Sequence, residues 1–298
     1  MEPIPIYARV LGVLLGVVAV PMLGFGILAG TISAVVTTAH VHRTTAYAVG
    51  DAPRLRLDVQ YSDVVIEAGL DGRIVVNDDL TAGSITRAAA AWAVNQARVT
   101  ISHEANAVFV QTTGSLNPVL AVRWSREIQV QVPARTDLDI ASLGNLAVSR
   151  VDGNMRIRAA SGSGMDANTT LRHVSLRGSS IIDRGSGDIR LDDVTVSGST
   201  SLKSEAGGIV FAGSLAPGSN SLNIDAGGPH NVSITLPHPT DARAVVATSR
   251  GNLNADPIWH FKPARGALTR TWSADLSQTP SGSISVTTDG GNINFAAR

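Results

Sequence analysis

The sequence predicts an all-β protein in which one N-terminal transmembrane helix precedes a β-solenoid repeat domain with a small helix-containing capping segment. Three observations support this prediction. Residues 10–39 contain no charged side chain, the chain after Pro133 repeats short strands of alternating polar and apolar residues, and glycine-centred turns separate these strands. A β-sandwich is the alternative fold, because it is also built from many short strands with frequent turns.

The uncharged segment over residues 10–39 is rich in Val, Leu, Ile, Gly and Ala. About 20 apolar residues in a helix cross the hydrocarbon layer of a bilayer, so this segment is long enough to span it with some tilt. We expect residues 1–9 to be a short cytoplasmic tail, which places the folded part of a single-pass cell-membrane protein outside the cytoplasm. A cleaved signal peptide is the alternative, since Ala46-Tyr47-Ala48 resembles a cleavage site, although signal peptides normally have an apolar core of about 7–15 residues.

Composition excludes several classes of function. Lys and Arg total 24, Asp and Glu also total 24, and the formal net charge is zero. Nucleic-acid binding normally requires a basic face, and no cluster of Lys and Arg supplies one, so we expect no nucleic-acid partner. The chain has no cysteine, which excludes disulfides, thiolate metal sites and a cysteine nucleophile.

The expected partners follow from the apolar segment and from the exposed repeats. The lipid bilayer is the expected partner of residues 10–39. Gly12/Gly16 and Gly26/Gly30 have the spacing that lets two helices approach closely, so a homo-oligomer formed through the span is a further expectation. For the remainder we expect an envelope polymer or protein, whose identity the residues do not specify.

Residues 43–132 predict a strand–helix–strand capping region. Arg54–Val59 alternates polar and apolar residues, as a half-buried strand does. The alanine-rich run over Arg87–Val94 contains the strongest helix formers outside the span, and Ser84 is the expected N-cap. Further short strands are expected before and after this helix.

Residues 133–298 predict a glycine-punctuated β-repeat domain. A typical unit is Asp188-Ile189-Arg190-Leu191, in which the apolar residues point to one face of the strand. Successive turn glycines are separated by 23, 21, 20 and 23 residues and then by 40, which is close to two units. The turn glycines are Gly164, Gly187, Gly208, Gly228, Gly251 and Gly291.

This spacing favours a solenoid, because strands of four residues are short for a free-standing sheet but suit one side of a coil. With rungs about 4.8 Å apart, six or seven rungs would make a rod on the order of 30 Å long. The ends of such a stack present unpaired strand edges. We expect residues 43–132 and the region of Trp259 and Trp272 to cover these two ends.

Three stretches carry a family resemblance: EIQVQVPARTDLDI at Glu127–Ile140, GSGDIRL at Gly185–Leu191 and EAGGI at Glu205–Ile209. Together they resemble a bacterial family of putative adhesins, a β-strand-repeat domain of unknown function with membrane-anchored members. The resemblance covers roughly residues 50–298 and supplies no catalytic residues. Asn252 and Asn292 stand where the repeat usually carries Asp, which argues against that Asp being a ligand.

Acidic pairs are the main candidates for catalysis, because parallel β-helices include glycan-cleaving enzymes. The pairs are Asp78-Asp79 and Asp192-Asp193. Adjacent residues of a strand point to opposite faces, so neither pair is expected to converge on one substrate.

Metal and cofactor motifs are also incomplete. His103-Glu104 begins like a zinc-protease helix, but Ala107 occupies the place of the second His. His40 and His42 have a spacing that allows metal binding, yet solvated side chains are the better interpretation. We therefore expect no catalytic, cofactor-binding or metal residues.

Together these features predict a membrane-anchored, extracytoplasmic, adhesin-like binding or scaffold module of the cell envelope that is not an enzyme. Two alternatives stay open. One is a sensor or regulator of envelope stress that acts through a membrane partner, which the family resemblance suggests. The other is a glycan-active β-helix enzyme, which rests on fold analogy alone.

Overall fold

The computed structural model describes residues 37–69, 71–113, 123–159, 167–264 and 269–298, which are mostly β-strand. The chain divides into two units, each described by itself below. Unit 1 comprises Met1–Val41, Leu80–Ala97 and Gly114–Ser125, and unit 2 comprises His42–Asp79, Arg98–Thr113 and Arg126–Arg298.

Unit 2 is a β-solenoid in which one strand from each of two main faces forms a rung. Nine strands of the first face pair in parallel, and antiparallel strands flank them at both ends. In spatial order they are β5 (Arg98–Glu104), β6 (Ala107–Thr113), β2 (Arg54–Val59), β8 (Asp137–Ser142), β11 (Met155–Ala159), the second part of β13 (Ser175–Ser186), the last part of β14 (Ile189–Ala206), β16 (Ser221–Ala226), β22 (Gly282–Thr288), β18 (Ala242–Thr248), β21 (Arg270–Asp275) and β20 (Lys262–Pro263).

The second face repeats this parallel stacking from β7 to β19, with β14 supplying its first part, while β1 and β4 lie beyond β7. In spatial order its strands are β1 (Thr37–Ala48), β4 (Arg73–Ser84), β7 (Arg123–Val132), β3 (Asp63–Ala68), β9 (Leu146–Ser149), β12 (Thr169–Arg172), β14, β15 (Ile209–Leu215), β17 (Val232–Leu236), β23 (Ile293–Ala297) and β19 (Leu253–Ala255). A short third face closes the middle rungs through β10 (Asp152–Gly153), the start of β13 and the adjoining parts of β14 and β15.

Inward-facing apolar side chains stack from rung to rung, because the strands pair in parallel and in register. Leu57 is the partner of Ile140, and Ile140 is the partner of Ile157. Full burial of one such side chain contributes roughly 1.5–3 kcal/mol. The buried row continues through Ile182, Leu202, Ile224, Val286 and Val246.

Two pairs of strands, β2 with β3 and β22 with β23, lie inside the stack although they come near the start and the end of the chain. Strand β2 lies between β6 and β8, and β3 lies between β7 and β9. At the other end, β22 lies between β16 and β18, and β23 lies between β17 and β19. The chain therefore passes beyond each of these rungs and returns, so these four strands are hydrogen-bonded along both edges.

Asn and Asp side chains at the corner between the two main faces form a hydrogen-bonded ladder. The side-chain oxygen of each rung accepts from the backbone N–H of the next, as in Asn145 N to Asp63 Oδ1 at 3.0 Å and Asn168 N to Asn145 Oδ1 at 3.0 Å. Asn and Asp both supply this acceptor. The ladder continues from Asn168 to Asp188, from Asp188 to Gly208, from Asn231 to Asn292 and from Asn292 to Asn252.

A glycine stands directly before the ladder residue at corners where the backbones of neighbouring rungs come closest to each other. Gly187 has a φ of +105°, and a Cβ there would clash with the carbonyl oxygen of Ala167. A Cβ at Gly291 would clash with the carbonyl oxygen of His230. The predicted turns at both positions are confirmed, whereas the turn predicted at Gly164 lies outside the described residues.

Arg184 occupies an inward position on the first face and is 0% exposed. Its guanidinium donates to the carbonyl oxygens of Ser142, Gly144 and Ala167. Burial lowers the pKa of Arg184 from its ordinary value. On the next rung Ser204 occupies the paired position and donates to the carbonyl oxygen of Gly187 at 3.0 Å. Inward polar side chains therefore satisfy the carbonyl groups of the corner turns.

Unit 1 contains the one α-helix of the described residues, α1 (Arg87–Gln96), whereas a 3-10 helix in unit 2 spans Pro257–Trp259. Its N-cap is Thr86, whose hydroxyl accepts from Ala89 N at 3.1 Å, so the predicted cap at Ser84 is wrong by two residues. The helix buries Ala90, Ala93 and Val94. The apolar cluster of this unit contains Leu80, Ala82, Ala93, Val94 and Ala97, with Ala39, Val41 and Trp124 packed against it.

The all-β solenoid predicted from the repeats is confirmed, and Arg54–Val59 is a strand with the predicted bounds. The first face has nine parallel strands instead of six or seven, because β2 and β6 extend the stack before Pro133. The division predicted at Pro133 stays a prediction, and strands on both sides of it pair with one another.

The transmembrane helix predicted over residues 10–39 lies outside the described residues except for its last three. Those residues, Thr37, Thr38 and Ala39, begin strand β1, so the predicted boundary is wrong there. Threonine favours strands, which accounts for the extended backbone at Thr37 and Thr38. The described part of the chain has no helix that is long and apolar enough to cross a bilayer.

Candidate binding surface

A shallow groove of about 370 Å³ lies on the outer side of the first face, across strands β8, β11 and β13. Outward side chains form it because alternate residues of each strand point away from the core. The parallel register brings these positions together from distant parts of the sequence. The lining residues are Arg54, Asp137, Leu138, Asp139, Asn154, Arg156, Ser179 and Ile181.

Asp139 lies at the floor of the groove between two arginines. Arg54 Nη2 donates to Asp139 Oδ2 at 3.0 Å, and Arg158 Nη2 lies 3.4 Å from Asp139 Oδ1. The Asp139 side chain is 11% exposed, whereas those of Arg54 and Arg158 are 59% and 45% exposed. The carboxylate therefore holds two guanidinium groups at the surface while about half of each arginine side chain still faces solvent.

Two further arginines flank Asp139 in the same outward row. Arg56 is paired with Asp139 across the β2–β8 ladder, and Arg156 is paired with it across the β8–β11 ladder. Both side chains are exposed, and neither forms an ion pair among the described residues. A guanidinium presents several N–H donors in a planar fork that matches carboxylate or phosphate oxygens. Arg156, which lines the groove, and Arg56, which lies beside it on β2, can therefore contact an anionic group at this surface.

The same outer side carries hydroxyl and amide groups beyond the groove. Ser201 is the partner of Ile181, Asn223 is the partner of Ser201, and Ser285 is the partner of Asn223. In the adjacent row Ser221 Oγ donates to another serine, Ser199, at 3.0 Å. This hydroxyl surface offers both donors and acceptors at the strand spacing, roughly 4.8 Å.

The structure separates the first acidic pair considered for catalysis. Asp78 is buried in a bidentate ion pair with Arg126, with distances of 2.7 and 3.0 Å. Asp79 points the other way, and its Oδ1 lies 2.7 Å from His42 Nδ1. The two carboxylates therefore have different partners and do not face one substrate.

The second pair also diverges. Asp192 accepts from Arg190 Nε at 2.8 Å, and this hydrogen bond is the main cause that raises the pKa of Arg190. Asp193 has a φ of +54° and contacts His173, with 2.9 Å between Oδ2 and Nδ1. The change in backbone direction at Asp193 turns its side chain away from that of Asp192.

The histidines considered as metal ligands have separate hydrogen-bond partners. His40 Nδ1 lies 3.0 Å from Thr81 Oγ1, whereas His42 contacts Asp79. Within the described ranges, no group of three or more His, Asp or Glu side chains is arranged to hold a metal ion.

Sequence reasoning did not identify the groove, because its residues belong to strands that are far apart in the chain. Arg54 and Asp139 are 85 positions apart, and their ion pair depends on β2 lying next to β8. The signal present in the sequence is local: Arg54-Leu55-Arg56 and Arg156-Ile157-Arg158 both place two arginines on one strand face. Only the long-range register shows that these two faces meet at Asp139.

Three solved structures are similar to this chain over most of its length. A putative adhesin from Bacteroides fragilis NCTC 9343 is 11% identical, with a TM-score of 0.48, and the alignment covers 85% of this chain and 96% of that one. A putative adhesin from Parabacteroides distasonis ATCC 8503 is 12% identical, with a TM-score of 0.41 and coverage of 85% and 97%. A putative cell adhesion protein from Clostridium sporogenes ATCC 15579 is 11% identical, with a TM-score of 0.34 and coverage of 87% and 100%.

No curated protein matches the chain. The profile of the family described as Toastrack DUF4097 matches residues 53–297, which include every strand of the two main faces except β1. This match confirms the family resemblance that the repeats predict. The chain belongs to the Toastrack DUF4097 family.

Proposed function

We propose that this chain is a binding or scaffold module of the cell envelope, held at the membrane by its N-terminal segment. The observation that supports this proposal best is the outer side of the first face, where an arginine-lined groove continues into rows of hydroxyl and amide groups. Such a surface suits an extended polymer, because it offers repeated contacts along the stack. A carboxylate- or phosphate-bearing envelope polysaccharide matches both the arginines and the hydroxyl rows.

Charge distribution explains how a neutral chain offers an anion site. The net charge of the whole chain is zero, so long-range attraction to polyanions is weak. Binding would depend on local contacts with Arg56 and Arg156, whose neighbours Arg54 and Arg158 already neutralise Asp139. The proposed interaction is therefore short-range and specific to the groove.

The membrane segment completes the proposal. Residues 10–36 are uncharged and apolar and precede the first described strand directly. We propose that they anchor the chain as a single-pass protein of the cell membrane, with the solenoid outside the cytoplasm. A module fixed at the membrane in this way would contact polymers of the surrounding envelope.

Fractionation and pull-down together test the proposed function. The full chain should remain with membranes after carbonate washing, and detergent-solubilised chain should retain a polymer from purified envelope fractions. Arg56→Gln/Arg156→Gln should reduce the retained polymer, whereas the matched control Arg73→Gln/Arg250→Gln changes two exposed arginines outside the groove. Equal retention by both double variants, or release of the chain by carbonate, would count against the proposal.

A further inference from the structure

Unit 1 exposes an apolar face that its own core does not use. Ile85 and Trp92 are 55% and 45% exposed, although both are large apolar side chains. On helix α1 the exposed positions Ala88, Ala91 and Asn95 lie on the same side as Trp92, opposite the buried Ala90, Ala93 and Val94. The apolar members of this side, Ile85, Ala88, Ala91 and Trp92, form the Ile85–Trp92 face, and Asn95 is a polar neighbour within α1 on that side.

The position of this face is fixed by the pairing of β1 with β4. Cross-strand contacts join His40 to Thr81 and Thr37 to Ser84, which is the pattern of an antiparallel pair. Thr37 Oγ1 donates to the carbonyl oxygen of Ser84 at 3.3 Å. Ile85 follows Ser84 directly, so the Ile85–Trp92 face begins beside the residue that joins the uncharged segment 10–36 to the described structure.

Charge distinguishes unit 1 from the rest of the chain. Of all Asp and Glu residues in the sequence, only Glu2 falls within the segments of unit 1. The described residues of this unit instead include Arg87, at the start of α1 next to the Ile85–Trp92 face. A surface without acidic groups does not repel anionic headgroups, and an arginine at its border attracts them.

We propose that the Ile85–Trp92 face lies in the interfacial layer of the bilayer that the N-terminal segment enters. Tryptophan prefers this layer because its ring is apolar while its indole N–H can bond to headgroups or water. Ile85 and the small alanine side chains allow the helix to lie flat against the headgroup region. The proposal rests on the proposed anchoring, and it adds a second, peripheral contact between unit 1 and the lipid.

The absence of cysteine from the chain allows a direct test. A nitroxide spin label attached to Ile85→Cys or Trp92→Cys reports local collisions with oxygen, which enriches in lipid, and with a nickel chelate, which stays in water. The full chain is reconstituted into vesicles of phosphatidylcholine and phosphatidylglycerol. Ser201→Cys, on the hydroxyl surface of the first face, is the matched control.

The expected result is an oxygen-to-nickel collision ratio several-fold higher at positions 85 and 92 than at position 201. Equal ratios at all three positions would overturn the proposal. Spin–spin broadening at position 85 that disappears on dilution with unlabelled chain would also overturn it, because it would place a second copy on this face. Release of the chain by carbonate would instead show that the anchoring fails, which separates the two proposals.

A second measurement uses the native tryptophan. Lipids brominated near the headgroup should quench more tryptophan fluorescence in the wild-type chain than in Trp92→Phe. Trp259 is buried and Trp124 packs against the apolar cluster of unit 1, so these two side chains should contact the brominated lipid less than Trp92 does. Identical quenching in the two chains would contradict the interfacial position of Trp92.

Discussion

Arg184 donates two hydrogen bonds to the carbonyl oxygen of Ala167, at 3.2 Å from Nε and 3.1 Å from Nη2. The same guanidinium reaches Ser142 and Gly144, so one side chain satisfies the carbonyl groups of two successive corners. It does so inside the solenoid, where a carbonyl oxygen without a donor is costly.

We expect Arg184→Met to lower the free energy of unfolding by about 3 kcal/mol or more, because the buried carbonyl groups of Ser142 and Ala167 lose the guanidinium donor while the apolar stem volume is largely kept. Ser204→Ala removes one equivalent hydrogen bond on the next rung and should cost about 1 kcal/mol. Urea unfolding of both variants measures the difference. Equal small losses would show that Arg184 is not needed to satisfy these corners.

The corner ladder predicts that Asn and Asp are interchangeable while alanine is not. Asn292 Oδ1 accepts from Asn252 N at 3.0 Å. Asn292→Asp keeps this acceptor and should change stability little, whereas Asn292→Ala should cost about 1 kcal/mol. Thermal unfolding of the two variants checks this. An Asp variant that is destabilised as much as the Ala variant would mean that the amide nitrogen, and not the acceptor, matters.

We expect the adjacent residues Asp78 and Asp79 to make very different contributions to the free energy of unfolding. Asp78→Ala removes the carboxylate that forms a bidentate ion pair with the buried Arg126 and should cost about 3–5 kcal/mol. Asp79→Ala removes a contact with the exposed His42 and should cost about 1 kcal/mol or less. Chemical unfolding measures both values. Similar losses at the two positions would contradict the observed separation of these carboxylates.

The hydrogen bonds to Asp241 predict that the folded chain loses stability as the pH is lowered. Hydrogen bonds from the Ser281 hydroxyl, and then from its backbone N–H, hold the pKa of this carboxyl below its ordinary value of 3.8. Because the folded-state pKa is lowered, the contribution to stability is present above the ordinary pKa and is lost as the pH falls through the folded-state pKa.

Wild-type chain should therefore lose more thermal stability than Asp241→Asn when the pH is lowered from about 5 to about 2.5. Melting curves of the two proteins at matched ionic strength give this difference. Parallel losses would show that Asp241 does not contribute to the acid dependence.

Local pattern was sufficient to predict most strands of the solenoid. Arg54–Val59 alternates cleanly, so its bounds follow from side-chain periodicity. Strand Ala242–Thr248 was not predicted, although its alternating positions are buried, because alanine and threonine give a weak apolar signal. The long strand Ile189–Ala206 bends through several faces, and its Ser and Thr run resembles a loop when read without the adjacent rungs.

Long-range pairing explains what local pattern could not predict. The return of β22 and β23 into the stack depends on contacts between residues far apart in the chain, as in Leu222 with Ile284. The groove has the same origin, since Arg56, Asp139 and Arg156 become neighbours only through the register of three strands. Neither feature has a signature within any one segment.

The central claim is that the arginine-lined groove binds an anionic, hydroxyl-rich polymer. Isothermal titration of the detergent-solubilised full chain with polygalacturonate, a carboxylate polysaccharide, and with dextran, a neutral one, tests it most directly. We predict binding of polygalacturonate alone, a large loss in Arg56→Gln/Arg156→Gln, and unchanged binding in Arg73→Gln/Arg250→Gln. Equal binding of both polysaccharides, or equal losses in the two double variants, would contradict the claim.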